Sequence, residues 1–368
     1  MKYQILNGDN IDILKTMSDN SIDSIVTDPP YGIDFLGKSW DANTGALETY
    51  QECLRVLKPG GHLLALSAPR TYHHLAVTLE QAGFDIRDQI MWIYSSGFPK
   101  SQDVGRSIAR SEKKVKNTKT YPPDIDDNRI VANSTTGSPR CQMCDKSTGP
   151  IWKKCPDNRT DCIKPWEADL QDNEWNGWGT ALKPAHEPIC MARKPLKQSI
   201  AKNVQEWGTG ALNIDACRIG DDPMVIRHLK KDDGKAFTHH GDGKKNRDTY
   251  EDIGTVAGRF PSNVIGEITE PYQKYFYCPK VSRQERHTGF DADLGNNHPT
   301  VKPIELMKYL IKLVTPSQGV VLDPFNGSGS TGMAAVELGH EYIGIEHDAN
   351  YCEIAKKRIE AHLKQVAP

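Results

Sequence analysis

Residues 319–346 read GVVLDPFNGSGSTGMAAVELGHEYIGIE, and the reading of this stretch decides the fold. Gly319 to Leu322 is a short aliphatic run of the kind found in a strand buried on both faces of a parallel sheet. It leads into Asp323-Pro324-Phe325-Asn326-Gly327-Ser328-Gly329-Ser330, a turn whose glycines let the backbone pass close to a ligand. Ser330 to Leu338 reads as a helix, so its first N–H groups face that turn and suit an anionic group such as a carboxylate. Tyr342 to Glu346 is the next strand. It ends on an acid about 20 residues after the loop, where a carboxylate can hold two ribose hydroxyls.

The same rhythm extends outward from this unit. Ile304 to Val314 is an amphipathic helix, and Tyr351 to Lys364 is a helix with its charges on one face. At the other end of the chain, Ser21 to Thr27 is an apolar strand that stops at Asp28-Pro29-Pro30-Tyr31. Tyr50 to Leu57 has helical spacing, Lys58-Pro59-Gly60-Gly61 ends it, and His62 to Ser67 is another buried strand. Thr71 to Ala82 reads as a helix and Asp88 to Tyr94 as a strand. Strands alternating with helices predict an α/β fold built on a mostly parallel, doubly wound sheet.

Composition sets the outer limits. The chain has 368 residues, 37% apolar and 26% charged, with a mean hydropathy of -0.59, which describes a polar globular protein with room for a sizeable core. No apolar stretch approaches the roughly 18 to 20 residues of a membrane span, and MKYQILNGDN lacks a secretory apolar region, so a cytoplasmic protein without membrane contact is expected. Nine cysteines in such a chain favour metal ligands or free thiols over a disulfide framework. The 46 basic and 48 acidic residues nearly cancel. That balance hides a division: residues 99–262 hold 28 basic and 23 acidic residues, and the remainder 18 and 25.

Asp28-Pro29-Pro30-Tyr31 carries the strongest chemical signal. Ligands bind beyond the carboxyl ends of strands in an open sheet, which is where the tetrapeptide lies. Two prolines fix the backbone and remove donors, leaving the preceding carbonyls free. A rigid carbonyl and a carboxylate can accept both hydrogens of an exocyclic amine, and the Tyr31 ring can stack on a planar base. The amine of adenine is a poor nucleophile, so holding it in an attack geometry while drawing on its protons is the main help a protein can give. A proline-terminated strand with an incidental tyrosine is the bland reading of the same residues. Gly-x-x-x-x-Gly-Lys-Ser/Thr does not occur, which removes the usual loop of nucleotide triphosphate hydrolysis. A nicotinamide enzyme would leave Asp28 to Tyr31 unexplained.

With these motifs the sequence resembles the amino-methylating DNA methyltransferases of the β-class, in which the catalytic motif precedes the cofactor motif. Further matches are Gly8-Asp9-Asn10, His298-Pro299-Thr300-Val301-Lys302-Pro303 and Ile343-Gly344-Ile345-Glu346. The resemblance implies a circularly permuted Rossmann-like methyltransferase sheet with an inserted target-recognition region. It also implies transfer from S-adenosyl-L-methionine to the N6 amine of adenine in double-stranded DNA. Asp28, Pro29 and Pro30 would then hold the amine, and Tyr31 would stack on the flipped base. Asp323, Phe325, Asn326, Gly327, Ser328 and Gly329 would form the cofactor loop, Glu346 would bind the ribose, and Asp9 would lie near the cofactor adenine. Thr300 and Lys302 would lie by the methionine carboxylate. Asp9 could instead cap a helix starting at Ile11, and Lys302 could be a solvated lysine in a proline turn. Cytosine N4 is the alternative acceptor. A catalytically silent, zinc-containing DNA-binding protein on the same scaffold is another, as is an RNA or protein amine; an aspartate at the first motif position favours adenine.

The expected organisation is a catalytic half at 1–98, a target-recognition insertion at 99–183, a returning core strand at 184–196, a second insertion at 197–274 and a cofactor-binding half at 275–368. His186 to Arg193 (HEPICMAR) is the strand candidate between the insertions. Cys141, Cys144, Cys155 and Cys162 form a four-thiolate set able to hold a structural Zn2+, although the second pair is wider than usual. The other cysteines read as small buried residues. Arg110 to Lys116, Lys230 to Lys235 and Lys280 to Arg286 are basic runs that suit phosphates or are merely solvated faces. Asp232 to Asp252 is polar enough for a loop. The oligomeric state, monomer or homodimer, is left open.

Overall fold

The computed structural model describes residues 3–33, 41, 43–94, 101–105, 107–108, 174–175, 177–182, 184–229, 250–266, 281–290, 296, 298 and 300–366. The chain divides into two compact units, one of residues 1–96 with 185–368 and one of 97–184.

The larger unit begins with β1 (Tyr3–Asn7), α1 (Asn10–Thr16), β2 (Ile22–Thr27), α2 (Leu47–Val56), β3 (Leu57–Leu66), α3 (Tyr72–Ala82) and β4 (Asp85–Ile93). It resumes with β5 (His186–Arg193), α4 (Ile200–Trp207), β6 (Ile219–Leu229), β7 (Tyr250–Arg259), β8 (Val264–Gly266) and α5 (Arg283–Arg286). It closes with α6 (Ile304–Val314), β9 (Val320–Asp323), α7 (Ser330–Glu337), β10 (Glu341–Glu346) and α8 (Ala349–Val366). Eight strands form one sheet in the order β1-β10-β9-β2-β3-β5-β4-β8. All run parallel except β5, which pairs antiparallel with both β3 and β4. The expected α/β sheet is present, and the strand carrying the Gly-rich turn lies beside the strand carrying Asp28.

Side-chain alternation builds the core. Val26, Leu64 and Leu66 point to the face covered by α6 and α7, where Leu306, Leu310, Met333 and Val336 are buried. Ile25, Leu63 and Ala65 point to the other face, against Leu14 of α1, Tyr50 and Cys53 of α2, and Leu75 and Leu79 of α3. Two fully covered faces explain why β2 and β3 read as continuous apolar runs rather than alternating ones.

Some elements differ from the sequence reading. β1 was not expected, β4 starts at Asp85 rather than Asp88, and α4 lies in a stretch read as irregular. β6 and β7 form a separate antiparallel pair whose described residues are mostly exposed. Tyr250, Glu251 and Asp252, read as the end of a polar loop, open β7; residues 230–249 lie outside the described set.

In the smaller unit, Val104 N–H donates to the Trp178 carbonyl at 2.9 Å. The rings of Trp175 and Trp178 meet edge to face at 5.3 Å. Cys141, Cys144, Cys155 and Cys162 lie outside the described residues, as does Cys278. Among the described residues no group of three or more His, Cys, Asp or Glu is placed to hold a metal ion. Cys53, Cys190, Cys217 and Cys352 are buried free thiols. Among the described residues no helix is long and apolar enough to cross a membrane.

Candidate active site

β2 and β9 pair in parallel, Ser24 with Val321 and Ile25 with Leu322, so both strands release their carboxyl-end loops on the same side. From β9 the chain continues to β10 on one flank, and from β2 it continues to β3 on the other. Between them lies the switch point at which open α/β sheets bind ligands. Thr27 Oγ1 donates to Asp323 Oδ1 across the gap at 2.7 Å. Asp323 also accepts from Phe325 N–H at 3.0 Å and Thr331 Oγ1 at 2.7 Å. Burial pushes this carboxyl up to about 6, and its hydrogen bonds join the loop to both strands.

The loop's conformation depends on its glycines. Gly327 and Gly329 have φ of 52° and 78°, the left-handed region that an L side chain adopts only with strain. A Cβ on Gly329 would lie 2.9 Å from that of Ala355, and one on Gly327 would lie 2.9 Å from His298 Nε2. Both glycines therefore let the loop pack closely on its neighbours. Arg358 of α8, wholly buried, donates from Nη1 to Ser328 O at 2.6 Å and Ser328 Oγ at 3.0 Å. It reaches Ser330 Oγ at 3.3 Å, and burial lowers its guanidinium to about 10. Asn326 accepts from Tyr342 Oη at 2.8 Å.

Glu346, at the end of β10, accepts from Gly327 N–H and Asp348 N–H, each at 2.8 Å, and burial raises its carboxyl. Asp9 is the N-cap of α1, accepting from Ile11 N–H at 2.9 Å, which is the capping alternative of the sequence reading. Its neighbour Asn10 reaches the loop, donating to Pro324 O at 3.2 Å. His298 is paired through Nδ1 with the Thr300 carbonyl at 2.9 Å. Burial lowers its imidazole to about 4.

At the end of β2, Asp28 Oδ2 accepts from Lys302 Nζ at 2.6 Å. Its other oxygen, Oδ1, is buried with no hydrogen-bond partner among the described residues. Burial raises this carboxyl, while Lys302 pulls it down and Glu187 pushes it up. Asp41, buried, collects the N–H groups of Tyr31 at 2.6 Å, Gly32 at 3.0 Å and Ile33 at 3.3 Å, which fixes the turn after the prolines. The Tyr31 hydroxyl donates to Glu187 Oε2 at 2.7 Å and that of Tyr94 to Oε1 at 3.2 Å. Lys302 Nζ stands 5.1 Å from the Tyr31 ring centroid. Burial, with Asp28 and Glu187 nearby, holds the Tyr31 hydroxyl protonated.

Asp28, Tyr31 and Lys302 thus meet in one cluster, with the loop of residues 323–329 on the adjacent strand. Lys302, expected beside a methionine carboxylate, meets the carboxylates of Asp28 and Glu187. Sequence reasoning missed Glu187, Asp41 and Arg358. An acid near the start of the mostly apolar HEPICMAR strand was a signal for Glu187; Asp41 and Arg358 carried none.

The chain matches the family model N6_N4_Mtase, described as DNA methylase, over residues 22–357 and belongs to that family. It is a DNA methyltransferase of the N6/N4 class. It is 24% identical over 402 residues to the Type II methyltransferase M.HindIII of Haemophilus influenzae, covering 96% of this chain and 94% of that protein. It is 22% identical over 372 residues to the Type II methyltransferase M.HpaI of Haemophilus parainfluenzae, covering 98% and 75%. The solved PvuII DNA methyltransferase (cytosine-N4-specific) superposes with a TM-score of 0.45 at 13% identity, covering 100% of this chain and 93% of that one.

Proposed function

We propose that this chain transfers a methyl group from S-adenosylmethionine to the N6 amine of adenine within a specific site of double-stranded DNA. The observation that carries this reading is Asp28 Oδ1, a buried acceptor without a partner among the described residues beside a tyrosine ring pinned by its hydroxyl. A buried unsatisfied carboxylate oxygen costs free energy until a donor arrives, and an exocyclic amine is a donor that fits.

The residues present also fit the cofactor. The first turn of α7 receives no side-chain cap, so its N–H groups suit an anionic carboxylate. Glu346 stands at the end of the following strand, where ribose hydroxyls would be held. Phe325, Asn326, Gly327, Ser328 and Gly329 would line the group, which supplies an electrophilic methyl on a sulfonium sulfur. Thr300, whose carbonyl is paired with His298, would lie near its methionine end, and Asp9 would act through the helix it caps.

Tyr31 stacks on the adenine flipped from the duplex, an extrusion that costs a few kcal/mol. Pro29 and Pro30 hold the turn rigid and direct the local carbonyls to the amine. Asp28 Oδ1 accepts one amine hydrogen, which raises the electron density on nitrogen, and takes up that proton as the N–C bond forms. Residues 99–183, within the compact unit of residues 97–184, would read the DNA sequence. The aspartate at position 28 supports adenine over cytosine.

Modification-sensitive sequencing of DNA from cells expressing the chain is expected to show N6-methyladenine at one recurring site, absent with Asp28→Ala. N4-methylcytosine would overturn the base assignment, and wild-type turnover by Asp28→Ala would overturn the role of Asp28.

A further inference from the structure

The cluster around Asp28 contains two carboxylates and one ammonium. Lys302 Nζ lies 2.6 Å from Asp28 Oδ2 and 3.6 Å from Glu187 Oε2, with side-chain exposures of 8%, 18% and 17% for Lys302, Asp28 and Glu187. Both oxygens of Glu187 are held by tyrosine hydroxyls. Burying a charge is costly unless it is compensated, so a second acid on one buried lysine calls for an explanation.

We infer that Glu187 is a positioning residue that keeps Lys302 compensated when Asp28 takes the amine proton, so that the site is neutral both before and after transfer. This rests on the role proposed above for Asp28. Before transfer, two carboxylates balance the Lys302 ammonium and the sulfonium. The S–CH3 bond breaks with its electron pair retained on sulfur, which leaves a neutral thioether. The amine lone pair forms the N–CH3 bond, the N–H pair returns to nitrogen, and the proton goes to Asp28 Oδ1. After transfer Asp28 is neutral and Glu187 alone balances Lys302. Without Glu187 the same proton would leave a buried ammonium unpaired.

The groups facing Asp28 are Lys302 ahead of α6, Glu187 on β5, Tyr31 in its own turn and Asp323 at the end of β9. Each charge has a defined sign of effect. Glu187→Gln keeps an acceptor for the Tyr31 hydroxyl but removes a negative charge, so Asp28 ionises more readily. Lys302→Met removes a positive charge and does the opposite.

The test uses the full chain, its DNA site and S-adenosylmethionine. In single-turnover pH profiles the acid limb of Glu187→Gln is expected to move down by about one pH unit, and that of Lys302→Met to move up by a similar amount. Calorimetric titration without DNA adds a readout independent of turnover. Glu187→Gln should lower the preference for S-adenosylmethionine over S-adenosylhomocysteine, and Lys302→Met should raise it. Wild-type transfer with an unmoved limb in Glu187→Gln, or limbs moving in one direction in both variants, overturns the inference while leaving the role of Asp28 intact. Failure of the wild type to methylate any DNA overturns both.

Discussion

Asp323→Asn tests how the two central strands are joined. Asp323 is 2% exposed, its oxygens accept from Thr27, Phe325 and Thr331, and burial pushes its carboxyl up to about 6. An unfolded aspartate titrates near ~3.9. Below that pH both states are protonated and the group contributes nothing to the pH dependence. As pH rises from ~4 to ~6 the unfolded chain loses this proton while the folded chain keeps it, so folding becomes less favourable. Over those two or so pH units, at ~1.4 kcal/mol per unit, roughly 3 kcal/mol is lost by pH 7. Asparagine cannot ionise, yet its Oδ1 can still accept from Thr27 and Phe325, and its Nδ2 can donate to Thr331 Oγ1. Against the relief stands the loss of hydrogen bonds to a charged acceptor, of the order of 1 to 2 kcal/mol. The expected outcome is a variant about 1 to 2 kcal/mol more stable than wild type at pH 7.5 and no more stable at pH 4.5. Urea unfolding followed by tryptophan fluorescence, with both proteins measured from pH 4.5 to 8, gives the difference directly. A difference that does not change with pH, or one in which the wild type gains on the variant as pH rises, would refute the reasoning.

Two further outcomes follow from buried cations and imidazoles. Burial holds His298 and His62 at about 4, so each contributes stability that is complete above ~6.5 and is lost as pH falls toward 4. The loss is about 2 kcal/mol per histidine at pH 5, and the thermal midpoint of His298→Gln should fall less than that of wild type between pH 7 and 5. Arg358→Met removes the donors to Ser328 and Ser330 and should weaken S-adenosylmethionine binding at least about tenfold by calorimetry. Arg358→Lys should recover only part of that affinity, because it restores the charge without the planar fork.

The legible parts of the chain were those whose local rule and tertiary setting agreed. β2, β3, β9 and β10 are buried on both faces, so their apolar runs announced them, and the Pro and Gly turns at their ends marked the site. β1 did not stand out because Gln4 and Asn7 interrupt an edge strand that is only half buried. β6 and β7 were illegible because strands solvated on both faces carry no alternation. At the site, Asp28 and Tyr31 were visible through the prolines beside them. Asp41 and Arg358 act through partners 10 and 30 residues away and left no local trace, whereas Glu187, 156 residues from Tyr31, was marked only by being an acid in a mostly apolar strand. Lys302 was noticed for its motif, but nothing in sequence spacing shows that it turns toward β2.

The pairing of β4 with β5 runs from Asp85 opposite Arg193 to Ile93 opposite His186, with one register shift between Ile86 and Asp88. One step further, Tyr94 N–H donates to the Ala185 carbonyl at 2.9 Å. The intervening residues therefore leave and re-enter the sheet one hydrogen bond apart, as an enlarged hairpin turn would. Closing a longer loop across a stem already held costs only about 0.6 kcal/mol per doubling of its length. The sheet is thus nearly indifferent to how much chain this turn contains, so the length of the segment between β4 and β5 can change without a large cost to the pairing of the strands that frame it.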